Sequence, residues 1–253
     1  MARAASHSSD NPWGRVLVIM PTYNESDSLP RVAGNLLATV PNVDLLVVDD
    51  DSPDGTGALA DGLAAGSPRV HVLHRVKRDG LGPAYLAGFA WAAANGYDFV
   101  VEMDADGSHP AETLPAMLDA FSTSPRPGLV IGSRWIPGGA VINWPRRRLV
   151  LSRTANTYAR LALRIPTRDI TAGYRAYPTE VAIAVSPEIS SRGYSFQIEM
   201  AIRVFDAGLP IVEVPIVFRE REAGSSKMSG SIVVEAMVGV TRWGFQRRFR
   251  RHR

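Results

Sequence analysis

The sequence predicts an α/β protein with a mostly parallel central sheet flanked by helices. Three observations lead there. Short apolar runs recur through the first half of the chain, of the kind that buried parallel strands use. Helical stretches of roughly 10–15 residues separate them, which is the rhythm of βαβ units. The runs end in polar or acidic loops, and in open α/β sheets ligands bind just beyond the carboxyl ends of the strands.

Taken in order, Val16 to Met20 is an apolar run closed by Pro21, and the loop Thr22-Tyr23-Asn24-Glu25-Ser26 leads to a helix over Leu29 to Thr39. Val43 to Val48 is a second strand ending in Asp49-Asp50-Asp51. Ser52-Pro53-Asp54-Gly55-Thr56 turns into a helix that stops near Gly66. Val70 to Leu73 is a third strand. Gly80-Leu81-Gly82-Pro83 opens a helix over Ala84 to Asn95, with Gly96 as its stop. Phe99 to Met103 follows as a fourth strand. It ends abruptly in Asp104-Ala105-Asp106, where Gly107 frees the backbone and Pro110 blocks further extension.

A helix to about Ser122 and a strand over Leu129 to Ile131, ending in Gly132-Ser133-Arg134, complete the regular part. Beyond it the alternation falters. Trp135 to Trp144 reads as a Gly/Pro-rich loop, Leu149 to Ile165 as a helix and Thr171 to Tyr177 as extended. Phe196 to Ala207 reads as helical, and Leu209 to Phe218 as a strand that Pro215 marks as an edge or bulge. Arg221 to Gly230 is a Ser/Gly loop. The resulting organisation is a disordered lead-in over 1–13, a single domain over 14–230, and an amphipathic helix with a basic tail over 231–253. The domain divides near residue 134 into a first half and a second half.

The 253 residues are 45% hydrophobic and 21% charged, ordinary values for a globular protein. No cysteine is present, which excludes disulfides and thiolate metal sites. The first residues contain no apolar h-region of a signal peptide. No stretch reaches the ~18–20 apolar residues that span a bilayer. The net charge of +3 is unevenly spread: Arg146, Arg147 and Arg148 form one cluster, and arginines crowd the last twelve residues. Such patches suit anionic lipid or nucleic acid. With no nucleic-acid-binding motif beside them, lipid is the better match.

Three polar or acidic loops, at Asn24-Glu25, Asp49 to Asp51 and Asp104/Asp106, follow successive strands and so converge on one rim of the sheet. Packing carboxylates together is costly unless a cation or donor groups compensate. Carboxylates so placed, with phosphate as co-ligand, are the usual holders of Mg²⁺ or Mn²⁺. There is no G-x-G-x-x-G after the first strand, no Walker loop and no G-x-S-x-G elbow, so dehydrogenase, classical ATPase and α/β-hydrolase chemistry lose ground.

The ordered set Pro21-Thr22-Tyr23-Asn24-Glu25, Val47-Val48-Asp49-Asp50-Asp51-Ser52-Pro53-Asp54-Gly55-Thr56 and Asp104-Ala105-Asp106 resembles the family 2, GT-A fold (Rossmann-like) glycosyltransferases. More narrowly it is similar to the polyprenol (dolichol) phosphate mannose synthases. Gly80-Leu81-Gly82, Ser108-His109-Pro110, Gly132-Ser133-Arg134, Thr171 to Tyr177, Tyr194 to Glu199 and Gly224-Ser225-Ser226-Lys227 continue the match in the family's order. The resemblance implies a metal-dependent, inverting transfer of mannose from GDP-mannose to a polyprenyl phosphate, at the cytoplasmic face of a membrane.

It also implies roles. Pro21, Tyr23, Glu25, Val48 and Asp50 hold the guanine–ribose side, with Arg78 or its neighbour Lys77 as a nucleotide cation. Asp104, Ala105 and Asp106 meet ribose, diphosphate and Mg²⁺ or Mn²⁺. Asp106 is the direct ligand, Asp104 lies beside it, and Ser108 stands at a second polar metal position. Arg134, Arg221 and Lys227 face the phosphates of donor and acceptor, together with Arg147 or Arg148. His109 reads as a capping or supporting histidine, and Glu199 as either an inward arginine partner or a site residue. The implied partners are an anionic membrane surface or a membrane-embedded protein, and no nucleic acid. A neighbouring reading keeps the lipid but uses another sugar nucleotide such as UDP-glucose. A reading of another class is a non-catalytic sugar-nucleotide-binding or scaffold protein, which need not keep Asp104, Asp106 and Lys227 together.

Overall fold

Strand alternation decides which side chains enter which core layer. In β1 (Val16–Thr22), Leu17 and Ile19 point to one face of the sheet and Val16, Val18 and Met20 to the other, and all five are buried. The structure is a computed structural model that describes residues 11–191, 193, 195–220 and 230–250. After β1 come α1 (Leu29–Thr39), β2 (Val43–Asp49), α2 (Thr56–Gly66), β3 (Val70–His74), α3 (Leu81–Ala94) and β4 (Phe99–Glu102). A short helix α4 (Leu114–Asp119), flanked by 3₁₀ turns, leads to β5 (Leu129–Ser133), β6 (Ala140–Ile142) and α5 (Arg146–Leu163). The chain ends through β7 (Arg175–Pro178), α6 (Thr179–Val185), α7 (Ser195–Asp206), β8 (Ile211–Pro215), β9 (Val217–Arg219) and α8 (Gly230–Arg250).

The sheet order is β3-β2-β1-β4-β7-β5-β8, with β6 and β9 forming a separate parallel pair. All neighbours in the large sheet are parallel except β7, which runs antiparallel to both β4 and β5. Because β7 reverses direction between them, β4 and β5 still end on the same rim as β1 and β2. One face of the sheet carries α1, α2 and α4 over Val18, Leu45, Val47 and Val101; the other carries α3, α5, α6, α7 and α8 over Ile19, Val48, Val100 and Tyr177. At Gly88 the backbone of α3 lies so close to β1 that an added Cβ would sit 2.6 Å from Ile19 Cγ2. Only glycine permits that approach.

The expected alternation and the edge strand at Pro215 are present, and α6 and β6 are elements that the sequence did not announce. Trp13, placed in the lead-in by its polar neighbours, packs against the core layer beside α4, and its indole donates to Asp119 Oδ1 at 2.8 Å. The lead-in therefore gives way to packed structure before residue 14. Residues 1–10 and residues 221–229 of the Ser/Gly loop lie outside the described residues. Among those described, no helix is long and apolar enough to cross a membrane.

Candidate active site

The rim formed by the ends of β1, β2 and β4 is laced by its own acidic loops. Asp49 accepts from the Thr22 hydroxyl at 2.9 Å and from the Ser52 hydroxyl and backbone N–H. Asp54 accepts from the Thr56 hydroxyl and N–H and from the Ser26 N–H; slight burial pulls its carboxyl up, but these donors outweigh it and hold it at about 2. The Glu25 N–H donates to Thr56 Oγ1, and Glu25 Oε2 accepts from Ser28. Asn24 and Asp51 occupy the left-handed region, φ 58° and 55°, which these two residue types tolerate.

Carboxylates that read from sequence as clustered charge are thus partly compensated by donors. Asp50 is buried, which raises its pKa, and it is paired at 2.6 Å with Arg75, a cation that the sequence did not single out. Arg78 stacks on Tyr23, its guanidinium 4.1 Å from the ring centroid, whereas Lys77 pairs with Asp79. That places Arg78, rather than Lys77, against the aromatic ring of the loop after β1. Pro21 lies opposite Val48 in the β1–β2 register. Val48 and Ala105, expected to touch the nucleotide, are inside the core layers with 0% and 3% exposure. Their side chains pack inward, so any contact they make with a nucleotide runs through the backbone.

At the end of β4, Asp104 and Asp106 enter a cavity together with His109, Arg134, Trp144 and Arg148. The Asp104 N–H donates to His109 Nδ1 at 3.0 Å, and the imidazole stacks on Tyr174. Asp106 Oδ1 accepts from the Ser108 N–H at 2.9 Å. The Ser108 hydroxyl is buried and makes no hydrogen bond. Among the described residues no group of three His, Cys, Asp or Glu side chains stands ready for a metal. Two carboxylates beside an orphaned hydroxyl are nevertheless the hard-oxygen donor set that suits Mg²⁺ or Mn²⁺ when a substrate's phosphates complete the shell.

Across the cavity, Arg134 donates from Nε and Nη2 to the two oxygens of Asp169, each at 2.7 Å, and from its backbone N–H to Oδ2 at 2.9 Å. Asp169 is fully buried and is itself held in place: Glu213 accepts its N–H and that of Arg168. The Arg134 guanidinium lies 5.4–5.5 Å from the rings of Trp135, Trp144 and Phe218, within cation–π range. Arg148 stacks on Trp144 at 4.0 Å and pairs with Glu220. Trp135 and Trp144 therefore frame the arginine. Arg221 and Lys227 lie outside the described residues. Glu199 is buried, accepting from the N–H groups of Ser190 and Ser191 and facing Arg203 at 3.6 Å, so its place is structural.

Beneath the carboxylates, Arg175 is wholly buried and donates to three backbone carbonyls, those of Ile170, Ala172 and Gln197. Beside it, Glu102 is completely buried and neither of its oxygens accepts a hydrogen bond. Burial pushes Glu102 up to about 8 despite the neighbouring Arg175 charge. From about pH 4.5 to 8 the folded chain holds a proton that the unfolded chain releases, so this group's contribution is full below that window and is lost as pH rises through it. Glu102→Gln will flatten the fall in urea midpoint between about pH 5 and 8, measured with chelator present. A variant with the wild-type slope would refute this.

A family model described as Glycosyl transferase family 2 matches residues 17–185. The chain belongs to glycosyl transferase family 2. As a member of that family it is a glycosyltransferase. It is 55% identical over 244 residues to the polyprenol monophosphomannose synthase of Mycolicibacterium smegmatis, covering 96% of this chain and 91% of the relative. It is 55% identical over 236 residues to the undecaprenyl-phosphate mannosyltransferase of Micrococcus luteus, covering 93% and 96%. Among solved structures, glucosyl-3-phosphoglycerate synthase from Mycobacterium tuberculosis, in complex with Mn²⁺, UDP and phosphoglyceric acid, superposes with a TM-score of 0.70. That likeness covers 91% of this chain and 78% of the other at 21% identity. In this family 2 glycosyltransferase the rim carrying Asp104 and Asp106 is thus part of a GT-A architecture.

Proposed function

We propose that this glycosyltransferase moves mannose from GDP-mannose to a polyprenyl phosphate, with inversion at the sugar, at the cytoplasmic face of a membrane. One observation carries the reading of the acceptor. The cavity that holds Asp104, Asp106, Arg134 and Arg148 at one end continues between α5 and α8 as an apolar wall of Leu151, Ala155, Met237 and Val240. A ligand with an anionic head and a hydrocarbon tail matches both ends. The names of the two 55%-identical relatives, a polyprenol monophosphomannose synthase and an undecaprenyl-phosphate mannosyltransferase, support the same acceptor and the same sugar.

In this reading Pro21, Tyr23, Glu25, Asp50 and Arg78 form the nucleotide side, and Asp106, Asp104 and Ser108 hold a divalent cation. When bound, that cation neutralises the diphosphate leaving group as its bond to the sugar breaks. Arg134 and Arg148, with Arg221 and Lys227 from the Ser/Gly loop, neutralise the acceptor phosphate and keep two anions in contact. An acceptor phosphate oxygen forms the new bond at the anomeric carbon as the diphosphate oxygen leaves from the opposite side, so an α-linked donor gives a β-linked product. The acceptor is already ionised near neutral pH and needs positioning more than a general base.

The test supplies labelled GDP-mannose or UDP-glucose with polyprenyl phosphate and Mg²⁺ or Mn²⁺, followed by extraction into organic solvent. Label will enter the lipid phase from GDP-mannose. Label from UDP-glucose alone would reassign the donor, and no lipid-phase label from either would overturn the reading.

A further inference from the structure

A hydroxyl group stands in the apolar core beside the catalytic carboxylates. Tyr85 on α3 is wholly buried, its ring stacked on Phe196 at 6.0 Å and on Phe89 at 6.3 Å. Phenylalanine would make those contacts equally well. The Tyr85 oxygen nevertheless enters the core, where it forms no hydrogen bond. A buried hydroxyl in that condition is costly, so its presence calls for a reason. The groups that face it come from β4, from the turn after β4 and from β7: Glu102, Asp104 and Tyr177. Burial pushes the phenol well above its usual range, and the charges of Asp104 and Glu102 push it the same way. The hydroxyl therefore keeps its proton, with a carboxylate of the site as its neighbour.

Tyr85 is also firmly placed. An added Cβ at Gly82 would sit 2.7 Å from the Ser191 backbone oxygen and 2.9 Å from Phe196 Cδ2. At Gly88 the close approach to Ile19 of β1 allows no Cβ either. α3 is thus seated against α7 and against β1, three residues before Tyr85 and three residues after it. Asp104 is anchored through its backbone N–H, which donates to His109 Nδ1. Its side chain is 40% exposed to the cavity, and Oδ2 stands 3.9 Å from His109 Nε2, beyond hydrogen-bond length. A rigid donor on α3 therefore faces a carboxylate that reaches into the cavity.

We propose that Tyr85 is a positioning residue for the transfer: with donor bound, its hydroxyl donates to the Asp104 carboxylate and fixes the angle at which that group meets the donor. The inference rests on the reading of Asp104 as a carboxylate of the donor site, and deepens it. Hydrogen bonds in a catalytic site commonly tighten only in the substrate complex. One made to a carboxylate is roughly twice as strong as a neutral one, and in a dry core no water competes for it. With one oxygen held by the phenol, the carboxylate turns its other oxygen to the ligand and no longer rotates freely. A group so supported by a locked neighbour keeps the geometry that the reaction needs.

The test compares Tyr85→Phe with the wild-type chain. The variant will lower kcat about 10-fold or more, the scale of a lost hydrogen bond to a charged group. KM for polyprenyl phosphate will stay unchanged, because Arg134 and Arg148 lie elsewhere in the cavity. Mn²⁺ binding in the presence of GDP, read by calorimetry, will weaken severalfold. The melting temperature will hold or rise, since an unpartnered hydroxyl leaves the core. Wild-type kcat and wild-type Mn²⁺ affinity in Tyr85→Phe overturn the proposal. A lower melting temperature with unchanged kcat also overturns it, since the hydroxyl then serves Glu102 inside the core. Acceptor KM rising as much as kcat falls would overturn it as well, showing a general loosening of the cavity. A wild-type chain that transfers from neither GDP-mannose nor UDP-glucose removes the proposed donor instead, and Mn²⁺ affinity then decides the role of Tyr85.

Discussion

Asp106→Asn will lower transfer to lipid acceptor by at least about 10²–10³-fold, the scale seen when one fixed electrostatic partner of a developing charge is removed. The substitution is chosen because it spares the fold. Asp106 Oδ1 accepts the Ser108 N–H, and an asparagine oxygen can accept the same bond, so the turn after β4 keeps its shape. What disappears is the negative charge. The second readout is therefore Mn²⁺ binding by calorimetry with nucleotide diphosphate present, which will weaken together with the rate. Asp106→Ala removes charge and acceptor at once and serves as the harsher comparison. An Asp106→Asn protein with wild-type turnover would show that the charge at this position has no part in the reaction.

Asp169→Ala will produce the largest loss of stability among the site's variants, although no ligand needs to touch Asp169. The change strands the Arg134 guanidinium, 8% exposed, without its counter-charge, and also removes the acceptor of the Arg134 backbone N–H. Breaking one side of a buried pair costs about 3–5 kcal/mol. For a chain of this size that is a fall in melting temperature of roughly 6–20 °C. The double variant Arg134→Met/Asp169→Leu will recover part of the loss, because it leaves no buried charge alone, and a cycle of the four proteins isolates the coupling. A fall below about 2 °C in Asp169→Ala would mean that Arg134 finds water or another partner at no cost.

The parallel half of the fold is legible because its signals are local. Apolar runs closed by Pro21, by Asp49 to Asp51 and by Gly107 mark the strands β1, β2 and β4, and the glycine-opened helix over Leu81 to Ala94 was visible from its punctuation. The carboxylate pair at 104 and 106 was visible for the same reason: it ends a strand. What was not legible depends on contacts distant in sequence. Arg175-Ala176-Tyr177-Pro178 carries no mark of direction, and only its neighbours make it antiparallel. Asp169 sits in a stretch without periodicity, and its importance comes from Arg134, 35 residues earlier. Val48 and Ala105 follow the expected motif in sequence, and their side chains turn inward to the core. Arg75 carries no signal in the sequence, because an arginine after a strand means nothing until Asp50 is found beside it.

The antiparallel β7 has a further consequence as a spacer. Arg175 stands in register with Glu102 on one side and with Ile131 on the other, two residues before Asp104 and three before Arg134 respectively. Interposing a strand separates the ends of β4 and β5 by two interstrand steps, roughly 10 Å. Without it Asp104 and Asp106 would stand beside the Arg134–Asp169 pair and compete with Asp169 for the guanidinium. With it, opposite charges face across a gap whose width is set by backbone hydrogen bonds and cannot collapse by side-chain rotation. The site is in effect a gap of fixed width, bridged only by a molecule that brings groups for both walls.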